Sequence, residues 1–146
     1  MTSPDITFRF ATKEDNEIIY DFAMRAISES ILPMFAEDAG DGLYERISTG
    51  DPRNVAIAEV KDEGIVGYIE IDPTRSTRKE VVYLRGIFVL EDFRRLKIGN
   101  TLLKKMQDEK CKEGEKLYVD AYSKYALKFW RSLGFDIERY VVKYKD

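Results

Sequence analysis

The sequence predicts an α/β fold in which helices cover both faces of a mixed central β-sheet. The first observation behind this prediction is VVYLRGIFVL, residues 81–90, which is apolar almost throughout and is typical of a strand buried on both faces. The second is that strand-like and helix-like patterns alternate along the chain in the order β-α-α-β-β-β-α-β-α-β. No repeat, low-complexity segment or Pro/Gly/Ser-rich linker interrupts this order, so we expect a single domain over residues 1–146.

The first part of the chain predicts a strand followed by two helices. Apolar and polar residues alternate in ITFRF, residues 6–10, as they do in a strand with one buried face. Thr12 and Asp15 have the spacing of a capping box, which predicts a helix that runs to about Ile27. A loop or short helix follows, and a second helical stretch is predicted near residues 43–47.

The remaining elements are predicted from periodicity and turn signals. The runs NVAIAEV and GIVGYIEI are separated by KDE and predict a β-hairpin. An amphipathic helix is predicted after the buried strand, because the apolar side chains recur at helical spacing. In chain order the elements predicted after it are a strand in KLYVDAY (116–122), a helix in SKYALKFWRSL that ends at Gly134, and a final strand or hairpin in FDIERYVVKY (135–144).

The composition excludes several classes of function. The chain has no histidine, which removes the commonest general base and the commonest metal ligand, and with the single Cys111 it makes a zinc site improbable, so we expect no metal. The formal net charge of −3 opposes a nucleic-acid-binding role. No apolar run is long enough to span a membrane and no signal peptide is recognisable, so we expect a cytoplasmic protein without membrane contact.

The segment FRRLKIGNTLLKKM, residues 93–106, is the most informative stretch for function. It places cations and one glycine at the predicted start of a helix, where unpaired backbone N–H groups bind phosphate. The alternative is a basic helix start that only faces water. A third interpretation, binding of nucleic acid, is disfavoured by the acidic balance of the chain; it would use Arg94, Arg95, Lys97, Lys104 and Lys105.

Four strings of the sequence resemble the GNAT superfamily of acyl-CoA N-acyltransferases in order and in spacing. They are ITFRFATKED, IAEVKDEGIVGYIEI, IFVLEDFRRLKIGNTLL and YALKFWRSLGF, and the order in which they occur extends the resemblance over nearly the whole chain. The resemblance implies a GNAT-like fold and the use of acetyl-CoA. It also allows a homodimer, formed through the exposed end of the sheet or through the C-terminal YVVKYK.

The resemblance assigns a set of residues to the cofactor. The family binds the CoA pyrophosphate on backbone N–H groups after the fourth strand, with the pattern Gln/Arg-x-x-Gly-x-Gly/Ala; Arg94 and Gly99 match it, whereas Lys97 replaces its middle glycine. The fourth strand lends its main chain to pantetheine, and the fifth strand splays away from it. The residues implied to bind the cofactor are Ile87, Phe88, Val89, Arg94, Arg95, Leu96, Lys97, Ile98, Gly99, Asn100, Ser123 and Trp130.

Candidate catalytic residues follow from strand parity and from the resemblance. Alternation along the fourth strand places Tyr83 and Arg85 on the cofactor side, unless a bulge near Gly86 resets the parity. Family members often carry a glutamate or a histidine at such positions, and this chain has neither. Two interpretations of Arg85 stay open: it pairs with Glu70 or Asp120, or it binds an acidic substrate or organises a water molecule.

The general acid is the second open assignment. The family's tyrosine on the last helix aligns with Trp130, whose indole N–H is a donor that does not titrate usefully. Ser123 likewise replaces an asparagine often found at the start of this helix. Tyr122 and Tyr125 lie close in sequence and are the candidate substitutes, so the predicted catalytic set is Tyr83, Arg85 and Tyr122.

The acyl acceptor is expected to bind between Tyr20 and Phe35. The apolar side chains Phe22, Ile31, Met34 and Phe35 form either a pocket wall or ordinary core, and the acidic Glu29, Glu37, Asp38 and Asp41 either attract an amine or belong to a solvated loop. The resulting hypothesis is an N-acetyltransferase in which a primary amine of a small molecule or peptide attacks acetyl-CoA directly in a ternary complex. The alternative, motivated by Lys97, Trp130 and Gly86, is a CoA-binding module with little or no transferase activity.

Overall fold

The computed structural model describes residues 5–34, 38–75 and 80–145, and within these ranges the chain forms a five-stranded sheet with α-helices. A 3₁₀ segment, Glu91–Leu96, joins the fourth strand to the third helix. In chain order the strands and α-helices are β1 (Ile6–Phe10), α1 (Asn16–Ser28), α2 (Gly42–Thr49), β2 (Val55–Val60), β3 (Gly64–Asp72), β4 (Val81–Val89), α3 (Ile98–Lys110), β5 (Lys116–Tyr118) and α4 (Lys124–Ser132).

The strands of the sheet lie in sequence order, β1-β2-β3-β4-β5. The first four are antiparallel neighbours, whereas β5 pairs with β4 in parallel, so the sheet is mixed as predicted. The parallel pairing requires a crossover, and α3 supplies it. The predicted fold class is confirmed.

Strand β4 forms the centre of the core because helices pack on both of its faces. On one face the Phe88 ring lies against Phe22 of α1, with 5.3 Å between the ring centroids. On the other face Ile87 lies beneath the start of α3, where a β-carbon built on Gly99 would stand 3.7 Å from the Ile87 side chain. Both Ile87 and Phe88 are buried, which explains why the sequence of this strand is apolar without alternation.

Local signals produce the predicted helix boundaries. The Thr12 backbone N–H donates to Asp15 Oδ2 at 2.8 Å, and this capping interaction opens a short 3₁₀ turn that leads directly into α1. At the end of α4, Gly134 has a φ of +102°, a left-handed conformation that a side chain would strain, and its N–H donates to the Arg131 carbonyl. Both predictions are confirmed.

The predicted final strand is wrong: residues 135–145 run without regular secondary structure, and β5 is shorter than the predicted 116–122. The tail meets β5 through a side chain, since the Tyr118 hydroxyl donates to Glu138 Oε1 at 2.6 Å. A strand needs a partner edge for its backbone as well as a suitable sequence. The alternation in ERYVVKY supplies the sequence, but the fold places no hydrogen-bonded edge beside it.

The lengths of the helices also decide whether any of them could span a membrane. Within the described ranges, no helix is both long and apolar enough to cross a lipid bilayer.

Candidate functional site

Strands β4 and β5 diverge soon after they meet. They pair only where Val81–Tyr83 lies beside Lys116–Tyr118. From Leu84 to Val89, no described strand pairs with β4 on the β5 side. The predicted splay is therefore present, and the backbone groups along this edge are available to pair with an extended ligand.

Helix α3 begins beside this open edge with an uncapped first turn. Lys97 occupies the N-cap position and no side chain caps the helix, while the Thr101 N–H donates to the Lys97 carbonyl at 3.1 Å and starts the helical ladder. The N–H groups of Ile98, Gly99 and Asn100 precede that bond and have no partner within the helix. Together with the positive end of the helix dipole, they form an arrangement that binds phosphate.

Arg94 is committed to contacts within the chain. Its Nε donates to the Val89 carbonyl at 2.8 Å, its Nη2 lies 2.9 Å from both carboxylate oxygens of Glu29, and its guanidinium stands over the Phe88 ring. Arg94 therefore ties the loop after β4 to the end of α1. The neighbouring Arg95 and Lys97 are exposed to solvent, as is Arg94.

Lys97 has a left-handed backbone conformation, with φ +56° and ψ +32°. This explains why the family pattern has glycine there, because a left-handed residue with a side chain costs about 1–2 kcal/mol. Glycine would remove this cost, but it also loses more chain entropy on folding, which offsets part of the gain. We therefore predict that Lys97→Gly raises the free energy of unfolding, measured in urea, by up to about 1 kcal/mol. A matched Lys104→Gly change in the middle of α3 is expected to lower it by about 1 kcal/mol; a loss of stability in Lys97→Gly would contradict the argument.

On α4, the side chains predicted to meet the cofactor serve the fold. The Ser123 hydroxyl accepts a hydrogen bond from the Ala126 N–H at 3.0 Å and caps the helix. The Trp130 ring is buried, and the rings of Phe129 and Phe135 lie edge-on to it, with 5.2 and 5.4 Å between the ring centroids. Its indole N–H has no hydrogen-bond partner among the described residues. The role of both residues in cofactor binding stays a prediction.

A cavity of about 470 Å³, here called the inner cavity, opens between α1, α2 and the end of the sheet near β5. Its walls combine apolar side chains with an unusual number of charged ones. The charged residues that line it are Asp38, Arg46, Glu70, Asp72, Arg75, Arg85 and Asp120. All seven belong to close ion pairs: Arg46–Asp38 at 3.5 Å, Arg46–Glu70 at 3.2 Å, Arg85–Asp72 at 2.7 Å and Arg75–Asp120 at 2.6 Å.

The position of Arg85 depends on a bulge. Glu70 pairs with Gly86 and Ile71 pairs with Leu84, so Arg85 is an extra residue in β4. The bulge resets the parity, as the sequence analysis allowed. The partner predicted for Arg85 is wrong, because the shifted register brings Arg85 to Asp72 and leaves Glu70 to Arg46.

The other two candidate catalytic residues meet at a second, larger cavity of about 1390 Å³ lined by α3, β5, α4 and the tail, here called the outer cavity. The Arg75 guanidinium lies 4.1 Å from the Tyr83 ring centroid, and its partner Asp120 lies 3.5 Å from the Tyr122 hydroxyl. Burial and the charge of Asp120 raise the pKa of Tyr122, so its phenol keeps its proton at neutral pH. Tyr125 lines neither cavity.

The inner cavity includes carboxylates to which sequence reasoning gave no functional role. Glu70 and Asp72 stand at alternate positions of β3 and so share a face of an otherwise apolar strand. Burial raises the pKa of Glu70, although the cations of Arg46 and Arg85 oppose the rise. Burial also acts to raise the pKa of Asp72, but its hydrogen bonds from Thr74 and Arg85 outweigh this and lower the pKa. The available signal was two acidic residues in the strand GIVGYIEID.

The predicted acceptor region is only partly realised. Phe22 and Ile31 are core residues, and Met34 is exposed. Phe35 and Glu37 lie outside the described residues. Of the other acidic side chains named for this region, Glu29 pairs with Arg94, Asp38 lines the inner cavity and Asp41 precedes α2.

Comparison with known proteins agrees with this geometry. Residues 14–135 match the acetyltransferase (GNAT) family. No curated protein shows significant sequence similarity to the chain.

The solved structures to which the chain is similar include the three acetyltransferases below, all at an identity that establishes the fold alone. One is the aminoglycoside N-acetyltransferase AAC(6')-Iy in complex with CoA, at 22% identity, with 99% of this chain and 97% of that chain covered and a TM-score of 0.66. Another is the aminoglycoside 6'-N-acetyltransferase AAC(6')-Ih from Acinetobacter baumannii, at 19% identity, with 97% of this chain and 98% of that chain covered and a TM-score of 0.62. The third is a predicted acetyltransferase with acetyl-CoA from Clostridium acetobutylicum, at 17% identity, with 97% of this chain and 96% of that chain covered and a TM-score of 0.67.

Proposed function

Because this chain belongs to the acetyltransferase (GNAT) family and is an acyl-CoA-dependent N-acyltransferase, we propose that it transfers the acetyl group of acetyl-CoA to a primary amine of a small molecule or a peptide. The observation that carries the proposal is the open edge of β4 beside the uncapped first turn of α3. An extended edge suits the amide-bearing pantetheine arm, and a helix start suits a pyrophosphate.

The residues at the open edge fit the cofactor. The backbone from Ile87 to Val89 offers hydrogen-bonding groups, and the first-turn N–H groups of Ile98, Gly99 and Asn100 offer donors for the pyrophosphate. Arg95 and Lys97 add cations beside them. When bound, acetyl-CoA supplies the activated acetyl thioester.

The side chains at the meeting of the two cavities suit direct transfer to the amine in a ternary complex. Arg75 and Asp120 hold Tyr122 at this place, where its protonated phenol is the candidate donor of a proton to the departing thiolate of CoA. Burial raises the pKa of Cys111, so the single cysteine stays a thiol rather than a nucleophilic thiolate. Direct attack by the amine requires no acylated side chain.

Two measurements test the proposal in sequence. Acetyl-CoA is titrated calorimetrically into the protein, and release of the CoA thiol is then followed with a panel of amines. Because two of the similar structures are named aminoglycoside acetyltransferases, aminoglycosides belong in the panel. Binding with turnover on any amine supports the proposal; binding without turnover supports the CoA-binding module, which Lys97 and the buried Trp130 favour.

We also propose that the chain forms a homodimer through its C-terminal tail. Tyr140, Val141, Val142 and Tyr144 are 78–91% exposed, which is a large apolar exposure for a single chain. Strand β5 lies at the edge of the sheet, and no described strand pairs with its outer side, so a strand from a second chain would add there.

We predict that light scattering after gel filtration gives twice the chain mass for the wild type and one chain mass for the double variant Val141→Asp, Val142→Asp. Charges at these positions remove the apolar contact that covers the tail in the dimer. The control is Lys143→Gln, which changes a residue of the same exposed tail and should stay dimeric. A wild type that is monomeric at tens of micromolar would refute the dimer.

A further inference from the structure

The charges of the inner cavity do not balance. Its walls contain four carboxylates and three guanidinium groups within the described ranges. Two of the carboxylates each have an arginine of their own: Asp72 has Arg85, and Asp120 has Arg75. The other two, Glu70 and Asp38, share Arg46, at 3.2 Å and 3.5 Å. One negative charge is therefore in excess.

Glu70 is also incompletely bonded. Its side chain is only 12% exposed, yet both of its oxygens receive the same Arg46 nitrogen, Nη1, each at 3.2 Å. A carboxylate has about four lone-pair sites, and the two hydrogens of a single Arg46 NH2 group at this length satisfy them only in part. A buried carboxylate with spare acceptor capacity that lines a cavity is suited to bind a cation from within that cavity.

The inner cavity extends from Glu70 to the place where β4 and β5 diverge. Leu84 and Val119 line it at that end, and so do Asp120 and Tyr122, which also line the outer cavity. A molecule held at Glu70 therefore points toward the open edge of β4, where the proposed function places the thioester.

We propose that Glu70 binds the ammonium group of the acyl acceptor and accepts its proton, and that the acceptor is a small, singly charged amine with an apolar body. The inference rests on the proposed function and names the base and the substrate class of its site. In this step one proton passes from the ammonium nitrogen to an oxygen of Glu70, leaving a neutral amine and a neutral carboxylic acid. The proton returns to solvent when the product leaves.

The surroundings of Glu70 suit this role. The charged and titratable groups that face it are Arg46 from α2, Asp38 from the turn before α2, Arg85 from β4, and Tyr68 and Asp72 from β3. Burial raises the pKa of Glu70 against the pull of the two arginines. A carboxylate with a raised pKa is a stronger base, and catalytic bases work best when their pKa is near the working pH.

The walls of the inner cavity favour an apolar body with a single charge. Ile27, Leu32, Leu43, Leu84 and Val119 provide apolar surface, and about 470 Å³ accommodates a small molecule. One excess carboxylate balances one ammonium group. An aminoglycoside carries several ammonium groups, and the others would stand beside Arg75 and Arg85 without a free counter-charge.

The test compares 2-phenylethylamine with kanamycin as acceptors for acetyl-CoA. We expect the wild type to favour 2-phenylethylamine by at least tenfold in kcat/KM. Glu70→Gln should lower kcat/KM for this amine by about 100-fold or more, the usual contribution of a general base. It should also flatten the acid limb of the pH profile, which falls as Glu70 is protonated. The affinity for acetyl-CoA should stay within about threefold.

Two further variants separate catalysis from folding. Glu70→Asp keeps the charge and is expected to restore part of the rate together with the acid limb, at a shifted pKa. Glu63→Gln, an exposed residue of the β2–β3 turn, should match the wild type. Circular dichroism detects whether Glu70→Gln is folded. If it is not, the pH dependence of kcat/KM in Glu70→Asp tests whether Glu70 is the base.

Several outcomes would overturn the inference. A folded Glu70→Gln enzyme with unchanged kcat/KM and an intact acid limb excludes Glu70 as the base, and so does a Glu70→Asp profile that does not shift. A wild type that prefers kanamycin excludes the substrate class but leaves the transferase function standing. Binding of acetyl-CoA without turnover of any amine would remove both the inference and the proposed function.

Discussion

Gly99→Trp is expected to abolish the binding of acetyl-CoA, with a loss of affinity of at least about 100-fold, which corresponds to about 2.7 kcal/mol. A β-carbon on Gly99 would stand 3.4 Å from Leu133 Cδ2 and 3.7 Å from Ile87 Cδ1, so even a methyl group here is already in contact with both neighbours. An indole there is expected to displace Leu133, Ile87 or the first turn of α3. These are the elements whose backbone is proposed to hold the pyrophosphate and the pantetheine.

The measurement is a calorimetric titration with acetyl-CoA. Gly99→Ala is the matched control, because its methyl group lies at ordinary van der Waals distance from both neighbours and should change the affinity by no more than about threefold. Circular dichroism and thermal unfolding establish that the tryptophan variant is folded. A folded Gly99→Trp protein that binds acetyl-CoA like the wild type would place the cofactor elsewhere.

Arg46→Ala is expected to lower the free energy of unfolding by about 3–5 kcal/mol, the usual cost of removing one partner from a buried ion pair. Arg46 contacts two carboxylates at once: Asp38, at 3.5 Å from Nε, and Glu70, at 3.2 Å from Nη1. Both carboxylates are largely buried, so the variant leaves them desolvated and without the arginine that contacts them. Most single domains have a total stability of about 5–15 kcal/mol, so this is a large fraction of it.

The pH dependence of this effect has a defined sign. The pKa of Glu70 is raised in the folded state, so between its unfolded and folded values the native protein binds more protons than the unfolded chain. Its contribution to stability therefore falls as the pH rises through that window. Because Arg46 acts to lower the pKa of Glu70, its removal moves the upper end of the window to higher pH. The cost of Arg46→Ala should accordingly be smaller at pH 5.5 than at pH 8.

Urea unfolding at the two pH values measures this difference. The matched control is Arg53→Ala, which removes an arginine from an exposed ion pair with Asp51 and should cost less than about 1 kcal/mol at either pH. A loss below about 1 kcal/mol for Arg46→Ala at pH 7, or a larger cost at the lower pH, would contradict the account of the inner cavity.

The two largest expected effects concern separate parts of the molecule. Gly99 lies at the start of α3, whereas Arg46 lies on α2, on the other face of the sheet. Acetyl-CoA binding in Arg46→Ala should therefore be retained whenever the protein is folded. This separation should allow the inner cavity, where we propose that the acceptor binds, to be altered without loss of the proposed cofactor site.

Local sequence was sufficient for the elements whose cause is local. The apolar run of β4 predicted a strand buried on both faces, and the spacing of Thr12 and Asp15 predicted the start of the first helical segment. The loop Arg94–Gly99 was recognisable as a helix start with cations, and the left-handed Lys97 occupies the position where the family pattern has glycine. In each case residues close in sequence make the deciding interaction, so a pattern of a few residues contains the information.

The proposed amine site depends on tertiary structure. The bulge at Arg85 exchanges its predicted partners for Asp72, and a shift of one residue in register changes which face and which neighbour a side chain meets. The burial and incomplete bonding of Glu70 arise from α2 and β4, which are distant in sequence. In the tail, residues 135–145, the sequence pattern is that of a strand but no strand forms. A strand also needs the backbone of a neighbouring strand to pair with, and only the assembled fold or a second chain provides one. Periodicity therefore determined which segments form helices and strands, whereas strand register and long-range burial determined which charges meet, because those depend on contacts that no local pattern records.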